Sequence, residues 1–396
     1  VKWGLPRKVL FCRRCIMSNQ MPSAVVEIKN RPTDLKPTLN FDEDGICHAC
    51  KYAELKRQID WKEREQELLD LLDRHRRHDG GYDVIVPSSG GKDSCFAAHL
   101  LKHKYGMNPL TVTWAPHIYT EIGWRNFQNL IHAGFDNVLV TPNGKVHRKL
   151  TQLAFLNLVH PFQPFIIGQR NVAPRLSVDK GIKLVMYGEH AAEYNSKLKG
   201  NFNPRMDHSF YAAPRSDSGA IRISGLDMEQ LEAEGVARRE LLPYLPLDLD
   251  RVEETGTEVH HLSYYQKWDP QANFYYAVEN TGFEVNPERT EGTYSKYSSL
   301  DDKIDGMHYF TTYIKFGVGR ASYDAAQEIR AGHITREEGI SLVRRYDGEF
   351  PQKYYLEFLE YIGITEEKFR EVIVGARSPH LWTQRNGEWV LRHPVS

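Results

Sequence analysis

The sequence predicts an α/β protein built on a doubly wound, mostly parallel sheet. Between Tyr82 and Tyr187, short apolar and β-branched runs alternate with segments of helical periodicity, which is the pattern of βαβ units. The first run, residues 82–86, leads into a glycine-rich loop followed by small and apolar residues at helical spacing. Two cysteine pairs precede this region and a mostly helical region follows it. We therefore expect a small N-terminal module, a central sheet and a helical C-terminal region.

Length and composition are those of an ordinary soluble globular protein. The chain has 396 residues, enough for two or three domains, and 41% of them are hydrophobic. We place the domain boundaries at residues 1–80, 81–290 and 291–396. The formal net charge of −1 gives no electrostatic reason to expect binding to nucleic acid or to an anionic membrane. The sequence contains no apolar run of the roughly 18 residues that a membrane span needs and no signal-peptide core, so we expect a cytoplasmic protein.

Four of the five cysteines form two pairs with C-x₂-C spacing, Cys12 with Cys15 and Cys47 with Cys50. Two such pairs in an intracellular chain predict a Zn²⁺ site with four thiolate ligands, so the N-terminal module is predicted to be a zinc module. Four thiolates leave no position open for water, which makes the predicted zinc structural. Disulfides, which the compartment disfavours, and an iron–sulfur cluster remain alternatives. We interpret Cys95 as a packed residue in the first turn of a helix.

The other elements continue the alternation. Further strands are predicted at residues 109–114, 137–141, 183–187 and 259–265. Further helices are predicted at residues 124–133, 146–155, 165–178, 272–280, 310–330, 335–345 and 366–374, with an amphipathic helix or helix pair at 52–78. Because ligands of such sheets lie at the carboxyl ends of the strands, three strand ends are expected to face one ligand. These are the glycine loop, the residues around Trp114, and Gly188 with Glu189.

The glycine loop has the sequence Ser89-Gly90-Gly91-Lys92-Asp93-Ser94. In a strand–loop–helix unit, backbone N–H groups and the positive end of the helix dipole converge on an anion. We expect both glycines to adopt positive φ and to let the backbone approach that anion. The two serines add hydroxyl donors and the lysine adds a cation. The aspartate is placed to hold Mg²⁺ between phosphate oxygens.

The spacing of this loop is not that of a Walker A motif. The string SGGKDS instead resembles the SGGxDS signature of the PP-loop ATP pyrophosphatases. That resemblance implies that ATP is cleaved between its α- and β-phosphates, that the loop holds the pyrophosphate, and that AMP passes to an oxygen of the substrate. We expect Thr113 and Trp114 to form a wall for adenine. The full set of predicted ATP contacts is Pro87, Ser88, Ser89, Gly90, Gly91, Lys92, Asp93, Ser94, Thr113, Trp114 and Gly188.

Two acidic residues, Glu189 and Glu193, follow the strand at residues 183–187. If a helix begins after Gly188, both carboxylates share one face and are available to Mg²⁺ or substrate near the phosphates. The alternative is an ordinary polar helix start, where the helix dipole favours acidic residues.

Taken together, the motifs resemble those of the N-acetyl sugar amidotransferase family. The resemblance spans most of the chain, from Cys12 to Gly375. It is carried by the cysteine pairs, VPSSGGKDS at 86–94, YGEH at 187–190, SKYSSLDDK at 295–303 and YIKFGVGR at 313–320. It implies conversion of an acetamido group on a nucleotide-linked sugar acid into an acetamidino group, in the biosynthesis of bacterial surface polysaccharide such as lipopolysaccharide O-antigen. It also implies ammonia supplied by a separate glutaminase, paired with a synthase-like subunit that channels ammonia.

The implied chemistry assigns roles to residues of this chain. AMP transfer turns the poorly reactive amide oxygen into a good leaving group, which ammonia then displaces. The predicted catalytic residues are Lys92, Asp93, Ser94 and Glu189. The predicted substrate-binding residues are Glu193, Lys296, Lys315 and Arg320. The three cations among them are candidates for a diphosphate or carboxylate, and the alternative is that they form salt bridges with Asp301, Asp302 and Asp305.

Two rival functions remain open on the sequence. A PP-loop enzyme that thiolates or otherwise modifies tRNA also activates a carbonyl with ATP, and zinc knuckles occur in that class. The near-neutral charge argues against it, because tRNA binding usually needs a basic surface. The other rival is a non-catalytic nucleotide-sensing scaffold, against which the intact Ser89–Ser94 loop argues.

Overall fold

The computed structural model describes residues 2–23, 26–31, 35–190, 193 and 203–396. Its α-helices are α1 (His48–Lys56), α2 (Trp61–His75), α3 (Lys92–His99), α4 (Glu121–His132), α5 (Gly144–Leu158), α6 (Gln163–Lys180), α7 (Met228–Ala233), α8 (Leu249–Thr255), α9 (Leu262–Tyr265), α10 (Pro270–Thr281), α11 (Asp305–Phe316), α12 (Arg320–Ala331), α13 (Arg336–Tyr346), α14 (Tyr355–Ile362) and α15 (Glu366–Ala376). Its strands are β1 (Val84–Pro87), β2 (Pro109–Trp114), β3 (Asn137–Val140), β4 (Leu184–Tyr187), β5 (Ala212–Ala213), β6 (Leu247–Asp248), β7 (Glu258–His261), β8 (Trp382–Arg385) and β9 (Glu388–Leu391).

Five strands form a central sheet in the order β3-β2-β1-β4-β7. All four pairings are parallel; for example, Val84 of β1 lies beside Pro109 of β2 and Leu184 of β4. Parallel neighbours need crossover connections, and helices supply most of them here. The chain first moves outward from β1 to β3 and then returns to β4 on the other side of β1. This order confirms the predicted α/β class and puts the topological switch point beside β1, where ligands of such folds bind.

Alternate residues of the central strands enter two different cores, as a sheet covered on both faces requires. Ile85 of β1 and Val185 of β4 join the core that also contains buried residues of α5 and α6. Val84 and Val86 of β1 point the other way, into the core shared with α2 and α3. The sheet is thus doubly wound, which explains why its strands lack the polar alternation of a half-exposed sheet.

The fifth strand of the sheet is shorter than predicted. The pattern predicts a strand over residues 259–265, but β7 ends at His261 and residues 262–265 form the short helix α9. The strand ends where the backbone N–H of Ser263 donates to the carbonyl of Gly188, 2.9 Å away. This long-range bond redirects the chain, and the local sequence gives no sign of it.

The N-terminal module packs against the far end of the chain. Cys12, Cys15, Cys47 and Cys50 share a core with α12, α13 and Val395. Arg336 of α13 reinforces the contact, since its guanidinium donates to the backbone carbonyl of Cys15 at 3.1 Å. The N-terminal module therefore packs against residues near the C-terminal end of the chain.

None of the helices in the described part of the chain has both the length and the apolarity needed to cross a bilayer.

Candidate active site

A cavity of about 1140 Å³ opens at the carboxyl ends of β1, β2 and β4. Several separate parts of the chain line it, among them the N-terminal segment around Glu27, the glycine loop with its neighbouring strand ends, α6, and helices α11 and α12. Of the residues predicted to bind ATP or to act in catalysis, those that line this cavity are Pro87, Ser88, Ser89, Lys92, Asp93, Ser94, Thr113, Trp114 and Glu189. The structure therefore brings most of the predicted residues into one space.

The two loop glycines play different structural roles. Gly90 has a φ of +87°, and a Cβ atom there would lie 2.6 Å from the backbone of Asn126 and Phe127 in α4. Only glycine fits this turn, since a side chain would strain the backbone and collide with α4. Gly91 caps the start of α3 with a φ of −70°, so the expectation of positive φ at Gly91 is wrong. The space around Gly91 is open, with Ser89 Oγ as the nearest atom, 3.6 Å from a built Cβ.

Hydrogen bonds fix the loop against β2. The backbone N–H of Ser88 donates to the carbonyl of Val112 at 2.9 Å, and the hydroxyl of Thr113 donates to the carbonyl of Ser88 at 2.5 Å. The hydroxyl of Ser88 bonds that of Ser94 at 2.9 Å, and Ser94 Oγ donates to Gly91 O at 3.0 Å. Thr113 thus holds the loop in place through a hydrogen bond, in addition to its predicted position in the wall for adenine. The loop is held in shape before any ligand binds, which lowers the cost of binding.

Lys92 and Asp93 form an ion pair at the start of α3, and the Lys92 side chain is only 12% exposed. The ammonium also lies 5.7 Å from the ring centroid of Tyr297, which comes from the C-terminal region. The second carboxylate oxygen of Asp93 accepts a hydrogen bond of 3.1 Å from Asn273 Nδ2. The charges of the loop are therefore oriented by partners from α10 and from the C-terminal region.

Glu189 faces the loop from the end of β4. Its carboxylate accepts a hydrogen bond of 3.3 Å from Gln327 Nε2 of α12. Burial raises the pKa of Glu189 well above its usual range, and the negative charge of Asp93 raises it further, although Lys92 opposes the shift. Two close carboxylates beside a phosphate cradle are a donor set that Mg²⁺ prefers. The residues present thus fit the predicted Mg²⁺, with Asp93 and Glu189 as its ligands.

The helix predicted after Gly188 does not begin there, since residues 188–190 are irregular in the described structure. Gly188 is confined by the ring of Trp268, 2.9 Å from a built Cβ, and by the carbonyl of Asp93. Glu193 forms an ion pair of 2.6 Å with Lys56. The two acids therefore do not share a helical face, and Glu193 contacts the N-terminal module.

Trp114 forms part of the wall predicted for adenine and is 4% exposed. Its ring packs on Gly168 of α6, where a Cβ atom would lie only 2.2 Å away, and contacts Tyr244 edge-on at 5.7 Å between centroids. The indole is therefore fixed in position. Its Nε1 atom is buried without a hydrogen-bond partner among the described residues, which leaves one donor for a ligand.

The predicted substrate cations have different surroundings. Lys296 lies at the surface and donates to the carbonyl of Pro287 at 2.8 Å. Lys315 lines the cavity at 3% exposure and donates to the carbonyl of Leu158 at 2.7 Å. Arg320 also lines the cavity and pairs with Asp324 at 3.1 Å.

Burial lowers the pKa of Lys315 well below its usual range, and Lys36 contributes to the decrease. For Arg320 burial is the largest single effect and favours the neutral form, but Asp324, Tyr309 and Asp305 together outweigh it and the pKa is raised. Arg320 is thus a firmly charged cation, whereas the lowered pKa of Lys315 would rise again with an anion beside it.

Several residues that line the cavity were not predicted: Arg170, His308, Tyr309, Thr312, Tyr323, Asp324, Gln327 and Glu328. His308, Thr312 and Lys315 follow one another at i, i+4 and i+7 on α11, so helical spacing from the predicted Lys315 was a usable signal. Asp324 and Gln327 likewise follow the predicted Arg320 at i+4 and i+7 on α12. Arg170 had no such signal, because its position depends on how α6 packs.

The four cysteines cluster as predicted, and each is at most 1% exposed. Their sulfur atoms all lie within 4.8 Å of one another, with Cys12–Cys50 at 3.8 Å and Cys15–Cys47 at 3.7 Å. These separations exclude disulfides, whose sulfurs are about 2.05 Å apart. A tetrahedral ion with bonds of about 2.3 Å places its sulfurs about 3.8 Å apart, so the geometry fits a single metal ion. The backbone N–H of Cys47 also points at Cys12 Sγ, 3.3 Å away, as expected of a thiolate acceptor.

The sheet order, the loop after β1 and the facing carboxylates define the class of the protein as a PP-loop, ATP-utilising enzyme. Residues 291–394 match the family model "LPS biosynthesis protein WbpG-like, C-terminal domain". This match gives the C-terminal region a WbpG-like domain, in agreement with the resemblance seen in the sequence.

Other similarities are more distant. The uncharacterized protein MJ1599 of Methanocaldococcus jannaschii is 35% identical over 77 residues, which is 19% of this chain. The match spans about a quarter of that relative, 27% of its length. Among solved structures, the U34-tRNA thiolase NcsA from Methanococcus maripaludis with its [4Fe-4S] cluster aligns over 82% of this chain and 86% of its own. That alignment has 14% sequence identity and a TM-score of 0.29, too low to establish a shared fold.

The turn at Gly90 generates a direct test. We expect Gly90→Ala to lower the free energy of unfolding by about 2–5 kcal/mol, combining the strain of a left-handed backbone with the collision against α4. Gly91→Ala is the matched control, and its effect should be within about 1 kcal/mol because its backbone suits alanine. Urea unfolding followed by circular dichroism measures both variants. Equal stability of the two would contradict the proposed role of the turn.

Glu189 generates a test with a pH dependence. Because its folded-state pKa is raised, the folded protein retains a proton that the unfolded chain releases, and stability falls as pH rises above the unfolded value. Glu189→Gln should therefore raise the thermal unfolding midpoint of the ligand-free protein at pH 8 and leave it nearly unchanged at pH 4. The same variant should weaken Mg²⁺-dependent ATP binding about tenfold or more, as expected from the loss of one charged contact. The exposed Glu253→Gln is the control, and a stability gain that is the same at both pH values would refute the assignment.

Proposed function

We propose that this protein is an ATP-dependent N-acetyl sugar amidotransferase that converts an acetamido group of a sugar into an acetamidino group. The observation that carries the proposal is the shared cavity. The PP-loop supplies one wall, and the WbpG-like C-terminal domain supplies Tyr297, Lys315 and Arg320 opposite it. A site that activates with ATP is thereby completed by a domain whose family description names lipopolysaccharide biosynthesis.

The cavity is large enough to hold two substrates at once. Its volume of about 1140 Å³ exceeds the roughly 1,000 Å³ that bounds most pockets for one small molecule. ATP placed on the loop leaves the space beside α11 and α12 for the acceptor. There Arg320 is a permanent cation, and an anion close to Lys315 would favour the charged form of that lysine. An acidic, nucleotide-linked sugar matches this chemistry.

The reaction proceeds in two steps. The acetamido oxygen attacks the α-phosphorus of ATP, the bond to the β-phosphate oxygen breaks, and pyrophosphate leaves into the cradle of Lys92 and the loop amides. Ammonia then attacks the activated carbon and loses a proton. AMP departs with the electron pair of its C–O bond, and the amidine remains. Bound Mg²⁺ would neutralise phosphate charge between Asp93 and Glu189. The protein contributes mainly positioning and fixed charge.

The cysteines support an external source of ammonia. A glutaminase of the common thiol type needs an accessible, reactive cysteine. Cys95 is 1% exposed and burial raises its pKa to about 12, while the other four cysteines occupy the metal site. We therefore propose that a separate glutaminase, together with a synthase-like subunit that channels ammonia, completes the system in the cytoplasm, where ATP is present and thiols stay reduced.

The activity can be tested directly. We expect purified protein with ATP, Mg²⁺ and ammonium to release AMP with at least one member of a panel of UDP-linked, CMP-linked and free acetamido sugars. Mass spectrometry should then find a product in which NH replaces O, and Asp93→Asn should abolish it. If no sugar gives this product, the proposal is refuted. Binding or thiolation of bulk tRNA at moderate salt would instead identify the tRNA-modifying alternative.

We further propose that the four cysteines hold one structural Zn²⁺. Sulfur separations of 3.7–3.8 Å suit one ion shared by all four ligands, whereas each thiolate of a [4Fe-4S] cluster binds a different iron and is held further from the others.

The metal proposal predicts one zinc per chain and no acid-labile sulfide by elemental analysis of protein purified without added metal. Cys47→Ser should lose the zinc because three thiolates bind a structural ion far more weakly than four. Cys95→Ser should keep it, since that residue lies elsewhere. Iron and sulfide in equal amounts would show that zinc is the wrong metal.

A further inference from the structure

Helix α1 connects the metal site with the ATP site. Cys47 precedes its first residue and Cys50 lies in its first turn. Its last residue, Lys56, forms the 2.6 Å ion pair with Glu193, and both side chains are less than 15% exposed. The Lys56 ammonium also approaches the carbonyl of Trp268 at 3.4 Å. One helix therefore carries cysteines of the metal site at its start and the contacts to Glu193 and Trp268 at its end.

Helix α12 provides a second connection. It packs in the same core as the cysteines through the small residues Ala321, Ala325 and Ala326. A divalent ion with four thiolates leaves two negative charges in excess. The positive charge of Arg330 faces these thiol groups, and its Nη2 donates to the carbonyl of Glu193 at 2.9 Å. The same arginine thus compensates the metal site and anchors Glu193.

Both connections end beside the predicted Mg²⁺ ligands. Glu193 lies four residues after Glu189, and Gln327, one turn before Arg330 on α12, donates to the Glu189 carboxylate. Trp268 touches Gly188 and packs edge-on against Phe96 of α3, with ring centroids 5.6 Å apart. Gln327 therefore contacts Glu189 itself, and Lys56 and Arg330 contact Glu193.

We propose that the four-cysteine metal site positions Glu189 for Mg²⁺–ATP, and that Lys56 and Arg330 are the positioning residues that connect the two sites. The metal site then has a role beyond stabilising the N-terminal module. Neither residue lines the cavity; each anchors Glu193, whose backbone N–H donates to the carbonyl of His190, next to Glu189, at 3.0 Å. This positioning role rests on the proposed binding of ATP at the loop but does not involve the sugar acceptor, so it can be tested separately from the sugar reaction.

The test measures binding of α,β-methylene-ATP, which cannot be cleaved at the reactive bond, by calorimetry with Mg²⁺ and with EDTA. Lys56→Met combined with Glu193→Gln removes the ion pair without leaving a buried charge unpaired. We expect its dissociation constant to rise about tenfold with Mg²⁺, the effect of one lost ionic contact. With EDTA it should match the wild type, and the metal content should stay at one ion per chain. Lys51→Met is the control, because Lys51 lies on the same helix but pairs with Asp42 at 2.9 Å.

Arg330→Lys provides an independent variant should the double change impair folding. It keeps a cation beside the thiolates but loses the planar fork that reaches Glu193, so we expect the same selective rise with Mg²⁺. Wild-type binding by either folded, metal-loaded variant would overturn the proposal. An equal loss with and without Mg²⁺ would also overturn it, because it would report a general disturbance of the ATP site.

Discussion

The cavity depends on a buried contact between Asp302 and His117. Asp302 Oδ2 accepts from the backbone N–H of His117 and contacts its ring Nδ1, both at 2.7 Å, and the two side chains are almost completely buried. The bonds of adjacent residues extend the contact: Thr120 N–H donates to Asp301 O, and Lys303 N–H donates to Ile118 O. A buried carboxylate with matched donors is costly to separate, since breaking it leaves an unpaired charge in the interior. This contact joins the C-terminal region to the end of β2.

The contact between the C-terminal region and the end of β2 also places other C-terminal residues beside the glycine loop. Asp301 lies against Gly123 of α4, the helix on which Gly90 also packs, and its carboxyl interacts with the hydroxyl of Ser89. Tyr297, a few residues earlier, lies over Lys92. The C-terminal region is therefore part of the ATP site itself rather than a separate lobe beside it. This explains how strings as distant as residues 89–94 and 295–303 line one cavity.

Features set by local pattern could be predicted from the sequence. Strand and helix alternation, the glycine loop and the cysteine pairs depend on residues close together in the chain, and the structure confirms the sheet and the cysteine cluster. Features set by long-range contacts could not. The ion pair of Glu193 with Lys56 joins residues more than a hundred positions apart, and so does the hydrogen bond of Lys315 to the carbonyl of Leu158. Gly91 looked equivalent to Gly90, but only Gly90 meets α4.

The charges of the cavity explain why ATP and a cation should bind together. In the ligand-free protein Lys92 pairs with Asp93 and Arg320 pairs with Asp324, so each cation already has a carboxylate. A polyphosphate alone would take Lys92 from Asp93 and leave that carboxylate unpaired next to Glu189, whose pKa burial and Asp93 already raise. A divalent ion would remove this repulsion, because Asp93 and Glu189 would hold it while the phosphates pair with the lysine. The net charge of −1 for the whole chain does not reveal this local arrangement. When ATP and the cation bind, the charged side chains of the cavity would change partners without any of them being left unpaired.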